Sequence, residues 1–199
     1  MSIIVAVVAT KGGACKTTTA VSLTVALEEG IVGPVRLLDT DPQGTAGKWL
    51  PWRSHSLRPT SAEEVRRATA GEGVTIVDTQ PAATDSAVAV MEAADLLVAP
   101  TRLGVGDLDA FNQLCRMVQP DLIVPCAFKA RTNSHAQALG LLRERFGDRV
   151  TTPIPDSIVV DTAQNNQEGI SARHPVARAY VEAADSLTHL LKGVNTHHG

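Results

Sequence analysis

Three threonines, two lysines and two glycines are packed into Thr10-Lys11-Gly12-Gly13-Ala14-Cys15-Lys16-Thr17-Thr18, directly after the apolar run Ile3-Ile4-Val5-Ala6-Val7-Val8. A buried strand that runs into a glycine-rich turn and then into Lys-Thr and a helix is the pattern of a phosphate-binding loop. Gly12 and Gly13 let backbone N–H groups close around phosphate oxygens, and the N-terminus of the following helix adds the positive end of its dipole. In such a loop Lys16 reaches the β- and γ-phosphates and the Thr17 hydroxyl ligates Mg²⁺. The usual spacing G-x-x-x-x-G-K-[ST] fails here at both outer glycines, which are Thr10 and Cys15, and a second lysine, Lys11, sits inside the loop. The loop is therefore a variant.

Two further motifs carry carboxylates. Leu37-Leu38-Asp39-Thr40-Asp41-Pro42-Gln43-Gly44 follows an apolar run, so Asp39 and Asp41 emerge at the C-terminal end of a strand, where α/β sheets place their ligands. A carboxylate there can orient an attacking water or support a metal shell. Val74-Thr75-Ile76-Val77-Asp78-Thr79-Gln80-Pro81 is a mostly apolar strand ending in an acid, the Walker B pattern, which sets Asp78 near the metal. Either motif alone is weak, and an Asp capping a strand-to-helix turn is its more frequent explanation. All three in this order form a set.

The elements that must position these residues are legible from apolar runs alternating with helical patterns, the mark of a doubly wound, mostly parallel α/β sheet. Strands are expected at Ile3–Val8, Val35–Leu38, Val74–Val77, Leu96–Ala99, Leu122–Phe128 and Arg149–Thr152. Their consecutive apolar residues suit strands covered on both faces. Helices are expected over Lys16–Glu29, from a Ser61-Ala62-Glu63-Glu64 capping box to near Gly71, and over Thr84–Ala94, Asp107–Val118, Asn133–Phe146 and Pro175–Lys192. Gly30–Pro34 and Gly71–Gly73 read as turns. Residues 1–199 show no repeat or composition shift and read as a single domain, long enough for a full core.

Composition narrows the class. The content is 44% hydrophobic but only 3% aromatic, so the interior is built of Ala, Val and Leu. No apolar run reaches a membrane span, and the N-terminal apolar segment is short for a signal peptide. Cys15, Cys115 and Cys126 fit neither a disulfide framework nor a zinc pattern, which points to a reducing, cytoplasmic setting. A net charge of −3 means that nucleic-acid binding, if present, comes from a local patch.

K-G-G-x-x-K-T-T, then D-x-D-P-Q-G, then an apolar strand ending in D-T-x-P resembles the ParA/MinD family of deviant Walker ATPases, over nearly the whole chain. Ala94-Asp95-Leu96-Leu97-Val98-Ala99-Pro100-Thr101 resembles the family's next strand, and Ile154-Pro155-Asp156 the turn that lines the adenine. Gly169-Ile170-Ser171 and His174-Pro175, before the last helix, fit the ParA branch. The likeness is nearest to short ParA-type proteins without a helix-turn-helix extension, because the loop begins near residue 10.

The resemblance implies a P-loop fold of the deviant Walker class that binds ATP and Mg²⁺ and forms an ATP-sandwich homodimer. Lys11 matches the signature lysine that crosses to the partner's nucleotide, and Lys16 and Thr17 the phosphate and Mg²⁺ residues. Asp41 matches the carboxylate that positions the hydrolytic water, Asp39 a metal-shell or supporting acid, and Asp78 the Walker B acid. Nucleotide contacts are expected at Lys11, Gly12, Gly13, Ala14, Cys15, Lys16, Thr17, Thr18, Pro155 and Asp156, catalytic roles at Lys11, Lys16 and Asp41, and metal roles at Thr17, Asp39 and Asp78. Slow ATP hydrolysis stimulated by a ParB-like or cargo-adaptor protein, nonspecific DNA binding, nucleoid association when ATP-bound, and plasmid or chromosome partition or cargo positioning complete the expectation.

Cys15 departs from the pattern, standing where the family carries glycine before the loop lysine. It is either tolerated with altered kinetics, or it weakens hydrolysis and leaves a nucleotide-gated switch, or its helix-N-terminal thiol makes the site redox-sensitive. Lys129 and Arg131 are candidates to touch adenine or DNA, or else stand at a solvated strand end; Arg143, Arg145 and Arg149 are DNA-contact candidates that a helix C-terminus also favours by its dipole alone, and Arg173 and Arg178 are comparable candidates. A MinD-like membrane helix needs a basic, bulky amphipathic C-terminus. The tail Lys192-Gly193-Val194-Asn195-Thr196-His197-His198-Gly199 is short, polar and glycine-broken, so no membrane contact is expected, and His197 and His198 read as a frayed end rather than a metal site. A reductase component of the same fold class would need Cys115 or Cys126 to bridge an iron–sulfur cluster, and an ATP-dependent ligase is the other metabolic alternative.

Overall fold

The computed structural model describes residues 2–30, 33–81 and 84–197. Six parallel strands form one sheet: β1 (Ser2–Val7), β2 (Val35–Asp39), β3 (Ser54–Ser56), β4 (Gly73–Asp78), β5 (Leu96–Arg102) and β6 (Leu122–Cys126), in the spatial order β3-β2-β4-β1-β5-β6. The eight helices among the described residues are α1 (Lys16–Gly30), α2 (Thr45–Trp49), α3 (Ala62–Ala68), α4 (Asp85–Ala93), α5 (Val105–Met117), α6 (Asn133–Phe146), α7 (Val159–Asn165) and α8 (Pro175–His197).

Side-chain alternation on β1 shows why the sheet is covered on both faces. Ile3, Val5 and Val7 point into a core with Leu23 and Leu27 of α1 and Tyr180 and Leu187 of α8. Ile4, Ala6 and Val8 point into a second core with Val90 of α4, Phe111 and Leu114 of α5 and Leu142 of α6. A strand dressed on both sides reads as an unbroken apolar run, because no position along it faces water. The final helix belongs to the first core: Val176, Ala179, Tyr180, Ala183 and Leu187 are all buried.

The pairing register sets the site. Val7 lies opposite Asp78, and Asp78 opposite Asp39, so the loop after β1 and both acids leave the same C-terminal edge of three adjacent strands. That edge is where a doubly wound sheet places a ligand. Gly73 fixes the entry to β4. Its φ is +96°, and a Cβ there would stand 2.0 Å from the Pro34 carbonyl oxygen. Gly73→Ala is therefore expected to destabilise the chain by about 2–4 kcal/mol, read as a lower denaturation midpoint.

Several expectations need correction. Arg149–Thr152 is not a strand: residues 147–149 make a 3-10 turn, and only an isolated bridge joins Val150 to Ile123. Pro153, with no N–H to donate, prevents the pairing from growing. The strand expected to reach Phe128 stops at Cys126, because Ala127 takes φ +52° and turns the chain out of the sheet. The last helix runs through Lys192 and Gly193 to His197, so the tail is not glycine-broken there. His198 and Gly199 lie outside the described residues, as do Ile31 and Val32 of the Gly30–Pro34 turn. Strand β3 and helices α2 and α7 were not foreseen. The capping box at Ser61 is present: Ser61 Oγ accepts from the Glu64 N–H at 3.3 Å, while the Glu64 carboxylate reaches back to the Thr60 N–H at 2.7 Å. Among the described residues, no helix is long and apolar enough to cross a membrane.

Candidate nucleotide site

A cleft of about 680 Å³ opens at the C-terminal edge of the sheet. The β1–α1 loop forms one wall through Gly12, Gly13, Cys15, Lys16, Thr17 and Thr18. Asp41 and Gln43 also line it, as does the turn Ile154-Pro155-Asp156. The sequence-expected residues are thus largely brought together. Gly13 has φ +73°, and a Cβ on either Gly12 or Gly13 would meet nothing within 4 Å, so the loop's glycines face open space rather than packed neighbours. That is room for a ligand to approach the backbone.

Asp78 is the electrostatic centre. It is fully buried, its Oδ2 accepts the Thr17 hydroxyl at 2.7 Å, and its Oδ1 has no partner. Burial raises its pKa to about 7, and Asp39 and Asp41 add to the rise against the Thr17 hydrogen bond and Lys16. Lys16 is itself buried, which lowers its pKa, while Asp78 and Asp41 pull the other way. A carboxylate with one free oxygen, a hydroxyl beside it and an ammonium close by is a hard, oxygen-rich donor set that fits a magnesium ion and phosphate oxygens. The residues present fit the Mg²⁺ that the loop implies.

The other acids do different work. Asp39 Oδ1 accepts the Asp41 N–H at 3.0 Å and Oδ2 the Gly47 N–H at 2.9 Å, so both oxygens hold the 40–47 loop. These two bonds suit the supporting one of the two roles that the resemblance implies for Asp39. Asp41 Oδ1 accepts the Gln43 N–H at 2.9 Å, an Asx turn that leaves the carboxylate beside the cleft. Thr40 binds the Asp78 carbonyl through both its N–H and its hydroxyl, and Gln80 donates to the Thr40 carbonyl, so the two acid-bearing turns are tied together.

Two expected contacts are not at the cleft. Ala14 is buried beneath the loop, and Lys11 turns away to Asp107 on α5, Nζ to Oδ1 2.8 Å. Thr10, which stands at the first outer glycine position of the usual spacing, donates to the Ala110 carbonyl at 2.7 Å and anchors the loop to the same helix. Sequence reasoning also missed Arg102, Cys126 and Tyr180, which line the cleft from β5, β6 and α8. The one local signal was an apolar strand ending in a polar residue. Lys129 pairs with Asp156 at 3.4 Å, tying the turn after β6 to the cleft's far wall.

Cys15 has φ +64°, the left-handed region that favours glycine, and this is why a glycine suits the position. Its side chain is partly buried and packs against the first core, to which Cys126 belongs. Cys126 is buried at the end of β6, and Cys115 lies partly exposed on α5. Among the DNA-contact candidates, Arg145 donates to Asn112 at 2.9 Å and lies over the Phe146 ring, and Arg149 reaches the Pro120 carbonyl at 3.4 Å.

Known proteins place this arrangement. Residues 5–170 match the family model described as the CobQ/CobB/MinD/ParA nucleotide binding domain. Over 106 residues the chain is 42% identical to the "Maintenance of carboxysome distribution protein A" of Gloeobacter kilaueensis, a match covering 49% of this chain and 48% of that protein. The match therefore spans about half the length of that relative. In three dimensions, apo McdA of Cyanothece superposes with a TM-score of 0.77 over 94% of this chain and 100% of that one, at 17% identity. MinD of Pyrococcus horikoshii complexed with Mg-ADP gives a TM-score of 0.77 over 98% and 99% of the two chains, at 14% identity. With a phosphate loop, two acid-bearing turns and a family match across most of its length, the chain belongs to the CobQ/CobB/MinD/ParA family of nucleotide-binding domains.

Proposed function

We propose that this chain is a Mg·ATP-dependent ATPase that dimerises on ATP and positions a large cargo by binding nonspecific DNA. The observation that carries the reading is the Thr17–Asp78 hydrogen bond at 2.7 Å, in a loop that also contains Lys11. Lys16 neutralises phosphate charge, and Asp41 orients the attacking water. Asp39 keeps the Asp41 turn in place. Thr17, with Asp78 behind it, would hold the magnesium ion, which would supply charge neutralisation at the phosphoryl group. Lys11 crosses to a second copy's nucleotide, so loss of the γ-phosphate releases the dimer.

Cargo positioning is favoured over plasmid partition by the 42% identity to a protein named for carboxysome distribution. A ParB-like or adaptor protein would stimulate hydrolysis, and the site of action would be the cytoplasm and nucleoid. The test is dimerisation and retention on DNA of arbitrary sequence with ATP, ADP or no nucleotide. ATP alone should drive both, and DNA retention should weaken steeply with salt, because it rests on phosphate contacts. If ATP changes neither, the reading fails.

A second reading, a nucleotide-gated switch with little hydrolysis, rests on Cys15 at φ +64°. Cys15→Gly relaxes the backbone at that position. Should the variant turn over ATP about tenfold faster than the parent while binding it equally, the natural thiol is a brake on chemistry of about 1.4 kcal/mol. Equal rates would leave the ATPase reading alone.

A further inference from the structure

Among the described residues that line the cleft are two cations, Lys16 and Arg102, and three acids, Asp41, Asp156 and Asp161. Lys16 belongs to the phosphate loop. Arg102 has no such employment inside the protein. It is exposed, and its backbone carbonyl accepts the Thr101 hydroxyl at 2.9 Å. Among the described residues its guanidinium has neither a hydrogen bond nor an ion pair. Lys129, by contrast, is already paired with Asp156 at 3.4 Å.

The strand register places Arg102 beside the loop. β1 pairs with β5 as far as Val7 opposite Val98, and β5 runs on to Arg102, about 13 Å further along the strand. Arg102 therefore stands level with the loop that follows β1. Leu96 and Val98 face the core that α1 covers, while Ala99 and Leu103 face the opposite core, so alternation sets Arg102 on the α1 side. Its partner across the ladder is Cys126, which belongs to that same core and also lines the cleft.

Sheet order gives the direction of a bound ligand. Asp39 and Asp78 end β2 and β4 on one side of β1, whereas Arg102 ends β5 on the other, next to β6. The first side is polar, lined by Asp41, Gln43, Thr45 and Gln80, and it holds the Thr17–Asp78 pair that fits the metal. The second side is more apolar: Ala127, Ile154 and Pro155 line the cleft beyond β6, where Ile154 is hydrogen-bonded to Pro125 and Phe128. A base seeks the apolar side and the metal-bound phosphates the polar one. The phosphate joined to the sugar then passes the end of β5.

We propose that Arg102 is a nucleotide-binding residue whose guanidinium takes the α-phosphate, the phosphate next to the sugar. The assignment rests on the ATP-binding reading above and deepens it. A guanidinium presents a planar fork of N–H donors that matches two phosphate oxygens, and it stays charged at any working pH. Lys16 and the metal serve the outer phosphates, so Arg102 supplies the positive charge at the inner one. ATP and ADP share the α-phosphate, so this contact adds affinity for both and does not follow hydrolysis. That is the converse of the part proposed for Lys11, which follows the γ-phosphate.

The experiment measures the affinity of the full chain for Mg·ADP, a non-hydrolysable Mg·ATP analogue and Mg·tripolyphosphate. The chains compared are the parent, Arg102→Gln and Arg102→Lys. The side chain is exposed and unpartnered, so both variants should fold as the parent does. Arg102→Gln should weaken all three ligands by a similar factor of about tenfold or more, because each carries a phosphate at that position. Arg102→Lys keeps the charge but not the fork, and should fall between. Loss confined to the ATP analogue would place the guanidinium at the γ-phosphate. Loss for both nucleotides but not for tripolyphosphate would place it at the base or sugar, and no loss for any would leave it on the surface. Each of these three results overturns the α-phosphate assignment while the nucleotide reading stands. A parent that binds none of the ligands overturns the nucleotide reading, and the assignment falls with it.

Discussion

Asp78→Asn should yield a chain that is more stable and less active. The parent's buried carboxyl has a pKa of about 7, raised chiefly by burial, against an ordinary value of 3.8. Between those two values the folded chain keeps a proton that the unfolded chain has lost. Stability therefore falls as pH rises through that window, and the whole penalty is present above it. Asparagine cannot ionise and shows no such slope. In magnesium-free buffer at about pH 8, the variant should be more stable by an amount on the order of 1–4 kcal/mol, with the difference shrinking toward about pH 4. Urea midpoints for parent and variant across that range check it. A parent no less stable than the variant at high pH would show that Asp78 is not buried as described. The same change removes the acid behind the Thr17 hydroxyl, so ATP turnover should drop by about 10²–10³-fold. A gain in stability with a loss of turnover marks a group retained for chemistry.

The phosphate loop was legible because its information is local: glycines, Lys16 and Thr17 lie within one turn that directly follows a buried strand. The strands that frame it were legible for the same reason that β1 is, since burial on both faces leaves an unbroken apolar run. What escaped is short, polar or distant. Ser54-His55-Ser56 is a three-residue edge strand with no apolar pattern, and α2 and α7, at five and seven residues, are too brief to show a helical period. Arg102, Cys126 and Tyr180 reach the cleft from strands and a helix far along the chain, so only the fold juxtaposes them. Cys15 was visible as a departure from glycine, but its left-handed φ was not, because a backbone angle is not written in a spacing. Asp39 shows the reverse: its motif was plain, but only the fold reveals that its carboxylate accepts the Asp41 and Gly47 N–H groups and so holds the 40–47 loop.

Lys11→Gln should abolish ATP-driven dimerisation while leaving nucleotide affinity within a few-fold of the parent. The geometry separates the two lysines of the loop. Lys16 is buried against Asp78 and Asp41 at the cleft, whereas Lys11 is half exposed and directed to Asp107 outside it. A side chain that does not face its own cleft contributes little to binding there, and is free to serve a partner's. The Asp107 contact must be given up first. An exposed ion pair of this kind is worth about 0–1 kcal/mol, so it lowers the fraction of released Lys11 by no more than about fivefold. Asp107→Asn should therefore tighten the ATP dimer by at most that factor, whereas Lys11→Gln, which removes the charge itself, should weaken it by about a hundredfold or more, beyond detection at micromolar protein. Sedimentation of parent, Lys11→Gln and Asp107→Asn with ATP and with ADP makes the comparison. An intact ATP dimer in Lys11→Gln would return Lys11 to a surface role, while collapse of the dimer in Asp107→Asn would mean that the ion pair orients the lysine for its partner instead of restraining it.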